Sequence, residues 1–282
     1  MSEAGQPIDL LQSVEHRTIF ITGGLGGIGR AAVAAFLAHG AQVAFTYAVG
    51  QESIDDAQAL VDTQPERLSM HALDLRAVAS IRQSMWDAMA RWGRLDVLVN
   101  NAAVGSATVA RYSEDAFEQD SLMLNINADG ALKMCQVFLK ETASQTNSRN
   151  LKIINISSVG GGLQAFPDFR ISDGMSKAAV AFLTKQLAAA LVHRDVDVFA
   201  VCPGATRTRM LMASTLDPMS EEERATFLSN LPKQRLIEPM EIANILVFLS
   251  SDYGKAMHGA VIDASMGLGV RPGLQTESAS RH

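Results

Sequence analysis

The chain has 282 residues, of which 48% are hydrophobic and 19% charged, and its formal net charge at pH 7 is −6. This is the composition of a globular protein with a sizeable core, and it excludes a disordered chain. Because the sequence has no basic run and no apolar stretch near the roughly 18 residues of a membrane span, we expect neither a nucleic-acid nor a membrane partner.

The N-terminal residues bear on the location of the protein, and the cysteines and histidines bear on metal binding. The start of the chain, MSEAGQPIDLLQSVEHR, carries acidic residues and no apolar signal core, which predicts a cytoplasmic protein. Cys135 and Cys202 fit neither a disulfide framework nor a zinc site, and the histidines show no metal-binding spacing, so we expect no metal. Cys202 lies in an apolar run, where a buried free thiol is expected.

Short β-branched runs alternate with helical patterns along residues 17–270. The runs lie at residues 18–22, 42–47, 68–74, 95–100, 151–157, 196–201 and 260–263. The helical patterns lie at about 28–39, 52–63, 77–92, 113–144, 174–194 and 239–251. This alternation predicts a single doubly wound, Rossmann-like α/β domain with about seven parallel strands and helices on both faces. Right-handed crossovers place the C-terminal strand ends, and hence a ligand, along one edge.

Three segments fall outside this alternation. Residues 1–16 are interpreted as an N-terminal extension, and residues 271–282 as a C-terminal tail. Segment 205–238 interrupts the pattern late in the domain. An insertion near the ligand edge indicates a substrate lid, with plain surface packing as the alternative.

The stretch 18–30, TIFITGGLGGIGR, has the form of a phosphate-binding corner. An apolar strand runs into a glycine-rich turn with the spacing Gly23-xxx-Gly27-x-Gly29, and a helical pattern follows at once. Glycine permits the tight turn and the close approach of a pyrophosphate, whose charge is attracted by free N–H groups and the helix dipole. A tight turn with no ligand is the alternative that this stretch alone leaves open.

Further motifs in the right order give the chain its resemblance to the short-chain dehydrogenase/reductase family, over about residues 15–270. The family's glycine motif TGxxxGIG matches Thr22-Gly23 and Gly27-Ile28-Gly29, and its strand-end Asp-Leu matches Asp74-Leu75. The later matches are Asn100-Asn101-Ala102-Ala103 for the NNAG motif, Asn127 for the active-site asparagine, Ser158 for the active serine, and Pro203-Gly204 with Thr208 for the PGxxxT stretch. The closing element is degraded to residues 262–265.

The resemblance implies a nicotinamide cofactor along the C-terminal edge of the sheet. The residues it assigns to the cofactor are Thr22, Gly23, Leu25, Gly27, Ile28, Gly29, Tyr47, Asp74, Leu75, Asn101, Ala102, Lys177, Pro203, Gly204 and Thr208. An acidic residue at the end of the second strand would favour NAD(H). That place is taken by Tyr47, so we expect NADP(H) to be favoured over NAD(H), although no Arg or Lys follows to attract the 2′-phosphate.

The active-site helix breaks the family pattern. The family's chemistry needs a tyrosine four residues before a lysine, and here Asp173 stands four residues before Lys177. The three tyrosines lie elsewhere, at positions 47, 112 and 253. The loop from Ser158 to position 173 is also two residues longer than is usual in the family. The chain is therefore identified as an atypical member that lacks the general acid for carbonyl reduction.

A carboxylate at this place favours a different chemistry from a phenol. Ionised, Asp173 would repel a developing oxyanion but would stabilise a cation, so an iminium-like substrate is one hypothesis, with Lys177 on the ribose and Ser158 and Asn127 shaping the pocket. A protonated Asp173 acting as acid on a ketone or alcohol is another. A third is a non-redox isomerase, dehydratase, cyclase or cofactor-binding pseudoenzyme. In the simplest interpretations Asp173 pairs with Lys177 or caps a helix that begins near Gly174.

The function that these residues favour is an atypical NAD(P)(H)-dependent oxidoreductase of a small organic molecule, of the kind met in biosynthesis. Arg207 and Arg209 beside the PGxxxT stretch are candidates for a cofactor phosphate or an anionic substrate, with plain surface positions as the alternative. Met210, Met212 and Met219 indicate either an adaptable apolar wall or core packing. The resemblance further implies a homodimer or homotetramer formed through the helices at about 113–144 and 174–194.

Overall fold

The computed structural model describes residues 14–145, 150–167 and 169–271, and within them seven strands form one fully parallel sheet. The strands are β1 Thr18–Ile21, β2 Gln42–Tyr47, β3 Leu68–Ala72, β4 Val97–Asn100, β5 Leu151–Ile156, β6 Val196–Pro203 and β7 Val261–Ala264. Their order is β3-β2-β1-β4-β5-β6-β7. The doubly wound, Rossmann-like prediction is confirmed. The order reverses between β1 and β4, and such a switch point opens a ligand crevice at the carboxyl ends of the strands.

Helices cover both faces of this sheet. The longer ones are α1 Gly27–Ala38, α2 Ile54–Asp62, α3 Val78–Trp92, α4 Ala116–Leu124, α5 Gly130–Glu141, α6 Ile171–Leu191, α7 Glu221–Ser229 and α8 Pro239–Ser250. Strand side chains alternate between the faces: Ile19 and Ile21 join the core beneath α1 and α8, whereas Phe20 joins the core beneath α3, α5 and α6. β1 therefore lies between two apolar layers in the centre of the fold.

The two helical patterns nearest the site differ in how well they were predicted. The pattern at about 113–144 is a continuous helical stretch in which a π-helical turn, Asn125–Asp129, joins α4 to α5. The helix predicted at 174–194 begins earlier, at Ile171, with Arg170 in the capping position. The early start follows from tertiary contacts, because Arg170 and Ser172 both bind the carboxylate of Asp120 on α4. These are long-range partners that a local pattern does not contain.

The segment 205–238 has a small core of its own. Leu216, Leu231 and Leu236 are buried together, and Met212 and Met219 pack against them. Helix α7 begins with a capping box in which Ser220 and Glu223 satisfy each other's backbone N–H groups. For these two methionines the core interpretation is correct. The extension at 1–16 and the tail at 271–282 lie almost entirely outside the described residues. No described helix has the length and apolarity to cross a membrane.

A buried ion pair at the amino ends of β5 and β6 gives a test of the fold. Lys152 is 0% exposed, and its Nζ lies 2.6 Å from Oδ2 of Asp197. Removing the carboxylate with Asp197→Ala leaves a buried charge without its partner, and we expect it to lower the free energy of unfolding by about 3 kcal/mol. Urea denaturation measures this loss. Asp217→Ala at an exposed position is the control, and equal losses in the two variants would contradict the prediction.

Candidate active site

The glycine turn between β1 and α1 leaves backbone donors facing the crevice. Helix α1 has Gly26 in the capping position and no side-chain cap. Within the described residues, no backbone acceptor takes the N–H groups of Gly27, Ile28 or Gly29, whereas the next N–H, of Arg30, binds Gly26 at 2.8 Å. Free amides at the start of a twelve-residue helix form an anion site. The turn therefore fits a cofactor pyrophosphate.

Close packing explains why this turn needs glycine. Gly23 has a positive φ of 68°, and a Cβ on Gly29 would lie 2.0 Å from the carbonyl oxygen of Gly23. Asn101 binds that same carbonyl group: its Nδ2 donates to the backbone oxygens of Thr22 and Gly23 at 2.9 and 3.0 Å. The Thr22 hydroxyl in turn accepts the N–H groups of Asn101 and Ala102, each at 2.9 Å. In this structure the side chain of Asn101 supports the turn.

The end of β2 carries an acidic group that the sequence pattern did not reveal. Tyr47 is the last residue of β2 and is buried. Glu52 folds back over the following turn, and its Oε2 accepts the N–H of Ala48 at 2.8 Å. Burial raises the pKa of Glu52, while the Ala48 hydrogen bond and the charge of Arg209 lower it. A carboxylate therefore lies beside the end of β2, where the sequence placed only Tyr47.

Asp74 and Leu75, which follow β3, already make contacts within the protein. Both carboxylate oxygens of Asp74 bind the Arg76 side chain, at 2.9 and 2.8 Å. That hydrogen bond is the main reason why the pKa of Asp74 is lowered. Leu75 lies against Gly130, where a Cβ would come within 2.9 Å of its side chain. Leu75 and Gly130 thus join the β3 end to the start of α5.

Asn127 sits inside the π-helical turn and links three elements. Its amide pairs with the backbone of Val104, accepting the N–H at 2.8 Å and donating to the carbonyl at 3.0 Å. Nδ2 also lies 3.3 Å from the hydroxyl of Ser176 on α6. The side chain is 3% exposed. Asn127 thus ties the loop after β4 to the helix that carries Asp173 and Lys177.

Asp173 and Lys177 lie one helical turn apart on α6 and are both half-buried. Neither charged group has a hydrogen-bond or ion-pair partner among the described residues, so the simple Asp173–Lys177 salt bridge is not present. Burial raises the pKa of Asp173, while Lys177 and Arg170 lower it. Burial lowers the pKa of Lys177, while the charge of Asp173 raises it. Asp173 is not a helix cap either, because α6 begins two residues before it.

The loop after β5 brings Ser158 close to this helix. The Ser158 hydroxyl accepts the N–H of Gly160 at 3.2 Å, and Gly161, with a φ of 84°, packs on the backbone of Gly174 so closely that a Cβ would lie 2.1 Å from its oxygen. The neighbouring Ser157 donates to the carbonyl of Lys177 at 2.8 Å. Gly161 therefore fits the longer loop against α6, at the residue following Asp173.

The PGxxxT stretch, which follows β6, packs against the glycine turn. Pro203 ends β6, and Gly204 packs against Ser265. Thr208 lies so near the turn that a Cβ on Gly27 would meet its methyl group at 2.7 Å. Met210 borders Gly105 in the loop after β4, at 3.0 Å from a Cβ placed there. The start of segment 205–238 thus lies over the ligand edge, as a lid would.

The comparisons with known proteins agree with this geometry. Residues 23–269 match the family model described as enoyl-(acyl carrier protein) reductase. The 3-oxoacyl-(acyl-carrier-protein) reductase FabG of Thermotoga maritima is 30% identical over 256 residues, which cover 90% of this chain and 98% of the relative. The chain belongs to the short-chain dehydrogenase/reductase family.

Two further relatives of this short-chain dehydrogenase/reductase are also named as reductases. NADPH-dependent aldehyde reductase 1, chloroplastic, of Arabidopsis thaliana is 32% identical over 267 residues, covering 88% of this chain and 87% of the relative. The structure of a variant of actinorhodin polyketide ketoreductase with NADPH has a TM-score of 0.78 and 26% identity, with 90% of this chain and 97% of that chain covered. The chain is an oxidoreductase on this scaffold.

A polar chain beneath Lys177 was not foreseen from the sequence. Asn100 donates to Asn155 at 2.8 Å, and Asn155 donates to Thr184 on α6 at 2.9 Å. The Oδ1 atom of Asn100 is buried with no partner in the described part of the chain. It lines a small cavity together with Thr22, Leu75, Ala102, Asn127, Ala131, Ile156, Lys177 and Val180. In this short-chain dehydrogenase/reductase, Asn100 therefore belongs to the surroundings of Lys177.

Several of the predicted site residues of this short-chain dehydrogenase/reductase lie together: Thr22, Leu75, Ala102, Asn127 and Lys177 line one cavity, and Thr208 packs on Gly27 of the glycine turn. Ser158 lies two residues beyond β5, and Asp173 lies one helical turn before Lys177 on α6. Arg207 faces away, since it binds Glu238 at 2.8 Å on the surface. Cys135 and Cys202 are buried free thiols, as predicted for Cys202. No motif predicted the position of Glu52, because a turn folds its carboxylate back onto the N–H of Ala48.

Proposed function

We propose that this chain is an NAD(P)(H)-dependent reductase of a small organic molecule whose reacting carbon belongs to a cationic, iminium-like C=N group. The proposal rests on Asp173, which stands where the family has a tyrosine. Its carboxyl group is half-buried and has no hydrogen-bond or ion-pair partner among the described residues. A cationic substrate needs no proton donor at oxygen, and it gains from a fixed negative charge in a partly water-excluded site.

The residues that would hold the cofactor fit the group. The unpaired amides of Gly27, Ile28 and Gly29 would hold its pyrophosphate. By the family's pattern, Pro203-Gly204 and Thr208 would border its nicotinamide half, and Tyr47, Asp74 and Leu75 its adenosine. Bound there, the nicotinamide ring supplies or accepts a hydride. Lys177 provides the positive charge that the nicotinamide ribose requires in this family.

The chain's own groups then act on the substrate as follows. Asp173 lies one turn from Lys177 and holds the positive end of the substrate toward the nicotinamide side of the crevice. Ser158 presents a hydroxyl from the loop packed on α6, and Asn127 fixes the opposite wall through Val104. Thr208 and Met210, in the segment 205–238, lie near the glycine turn and the loop after β4. Closure of this segment over the substrate would exclude water and strengthen the charge interaction.

Reduction of a ketone is the second candidate, and one observation favours it. Burial raises the pKa of Asp173, and a carboxyl kept protonated can donate to a carbonyl oxygen as an acid. The nearby charge of Lys177 acts in the opposite direction and lowers that pKa. The two candidates therefore predict opposite dependences of activity on pH.

The proposed preference for NADP(H) is supported by two similar proteins: one is named an NADPH-dependent aldehyde reductase, and the other is a ketoreductase whose structure contains NADPH. Tyr47 ends β2, although the Glu52 carboxylate lies beside that strand end and acts against a 2′-phosphate. The assembly is also proposed: Phe117, Ile171, Met175 and Phe182 are apolar and exposed on α4 and α6, as a contact between copies in a homodimer or homotetramer would require. A cytoplasmic location stays a prediction.

Titration of the purified protein with NADPH and with NADH, followed by nicotinamide fluorescence, tests the proposal first. We expect binding of both, with NADPH tighter, and then oxidation of NADPH in the presence of cyclic iminium compounds. Binding without hydride consumption across iminium compounds and ketones would favour a non-redox enzyme. Binding of neither form would end the reductase proposal.

A further inference from the structure

The loop between β5 and α6 carries an aromatic ring that no motif assigns. Phe169 is half-buried, and its ring packs on Gly160 near the start of the loop. Its Cε1, Cζ and Cδ1 atoms lie 3.1, 3.2 and 3.3 Å from the place that a Cβ of Gly160 would occupy. Gly160 has a φ of −75° and a ψ of 120°, which any residue adopts. Glycine at this position therefore makes room for the ring.

The same ring reaches the helix that carries Asp173. Its Cδ1 atom lies 3.5 Å from the place that a Cβ would occupy on Gly174, the residue directly after Asp173. Gly160, the other contact of the ring, donates its N–H to the hydroxyl of Ser158 at 3.2 Å. The ring of Phe169 therefore packs against both the Ser158 turn and the helical turn that carries Asp173.

Hydrogen bonds on either side of Phe169 fix the backbone that presents this ring. The N–H of Phe169 binds the carbonyl of Phe166 at 3.1 Å. The next residue, Arg170, donates from Nε to the carboxylate of Asp120 on α4 at 2.7 Å. Because the ring is already ordered, little conformational entropy is lost when a ligand packs on it. Phe169 thus offers a prepared aromatic surface at the site.

An aromatic ring and a carboxylate attract an organic cation in different ways. The carboxylate attracts the net charge, whereas the ring face attracts a positive charge that is spread over alkyl groups and is easily desolvated. A neutral molecule of the same shape gains only apolar contact from the ring. A site with both groups therefore distinguishes an alkylated cation from its neutral counterpart.

We propose that Phe169 is a specificity-determining residue, whose ring acts with the Asp173 carboxyl to select an N-alkylated cyclic iminium ion over neutral molecules of the same shape. The inference rests on the proposed function and goes beyond it by naming the class of cation and the residue that recognises it. The ring takes part in binding alone, so no bond forms or breaks at Phe169.

The test compares two unreactive probes of equal shape, N,N-dimethylmorpholinium and its neutral isostere gem-dimethyltetrahydropyran, in which carbon replaces the charged nitrogen. Calorimetry in the presence of NADPH measures both dissociation constants. We expect the wild type to bind the cation more tightly. Phe169→Leu stays apolar but loses the ring face, and it should weaken the cation about fivefold and the isostere by less than about twofold. Phe169→Tyr keeps the face and should retain the selectivity.

Phe248→Leu is the matched control, because this ring is 38% exposed on α8, outside the residues assigned to the site. Both of its constants should equal those of the wild type. Thermal melting shows which variants are folded, and Phe169→Met repeats the test if the leucine variant melts early.

The outcomes separate the inference from the proposed function. Equal losses for the two probes in Phe169→Leu would make the ring a plain apolar wall and overturn the inference, as would constants that do not change. Selectivity that is lost in Asp173→Asn but kept in Phe169→Leu would overturn the inference alone. A wild type that binds the two probes equally would overturn the cationic-substrate proposal, and the inference with it.

Discussion

Asp173→Asn is expected to lower kcat/KM about 100-fold for a permanently charged cyclic N-alkyl iminium substrate, while NADPH affinity changes little. Asparagine keeps the size and shape of the side chain but removes the charge, so the loss isolates electrostatic stabilisation of the cation. The probe cannot lose a proton from nitrogen, and therefore the substrate itself does not titrate. Consumption of NADPH at saturating cofactor measures the rate.

The dependence of the wild-type rate on pH shows whether the ionised or the protonated form of Asp173 is the active one. Burial raises the pKa of this carboxyl above its ordinary value of 3.8. If the ionised form holds the cation, activity is present at neutral pH and falls as the pH drops through that raised pKa. If the protonated form acts on a ketone, activity is present at low pH and falls as the pH rises through it. Asp173→Asn removes this limb in either case.

Two further variants separate these outcomes. Asp173→Tyr places a phenol four residues before Lys177 and is expected to gain ketone reduction only if Ser158 reaches the same substrate across its longer loop. Asp87→Asn alters an exposed carboxylate on α3, outside the residues assigned to the site, and should leave kcat/KM for the iminium probe largely unchanged. A rate with the charged probe that is the same in Asp173→Asn and in the wild type would overturn the cationic-substrate proposal.

The sequence predicted the parts of this molecule that local patterns determine. Strand β2 was predicted with its observed bounds, and the strand–turn–helix order of the glycine turn followed from apolar runs and glycine spacing. Both depend on short-range chemistry: alternation of side chains, backbone freedom at Gly23, and the exposed donors of α1. The substitution of tyrosine by Asp173 was likewise visible, because it needs only the i, i+4 spacing to Lys177.

The residues that escaped prediction depend on contacts between distant segments. Helix α6 starts at Ile171 because Asp120 binds Arg170 and Ser172, and this early start removes Asp173 from the capping position. Glu52 reaches the end of β2 only through the turn that brings its carboxylate back to the N–H of Ala48. A one-dimensional pattern holds no signal for such pairs.

Gly29→Ala is expected to destroy the glycine turn as a cofactor site. Its Cβ would lie 2.0 Å from the carbonyl oxygen of Gly23 and 2.8 Å from Nδ2 of Asn101. The carbonyl cannot retreat freely, because Asn101 and the N–H of Gly26 both bind it, at 3.0 and 3.3 Å. Overpacking of this kind costs about 1–3 kcal/mol in the free energy of unfolding. We expect this loss in urea denaturation, together with at least about a 100-fold weaker NADPH dissociation constant, since the anion-binding amides are displaced.

Gly26→Ala in the same turn is the matched control. Gly26 has a φ of −69°, which any residue adopts, and a Cβ there would meet only the Gly23 oxygen, at 3.4 Å. We therefore expect near wild-type stability and cofactor affinity from Gly26→Ala. The contrast tests whether close backbone packing, rather than glycine content as such, makes this turn a binding site. Equal losses in the two variants would contradict the steric explanation, because both alanines would then act through the flexibility of the turn.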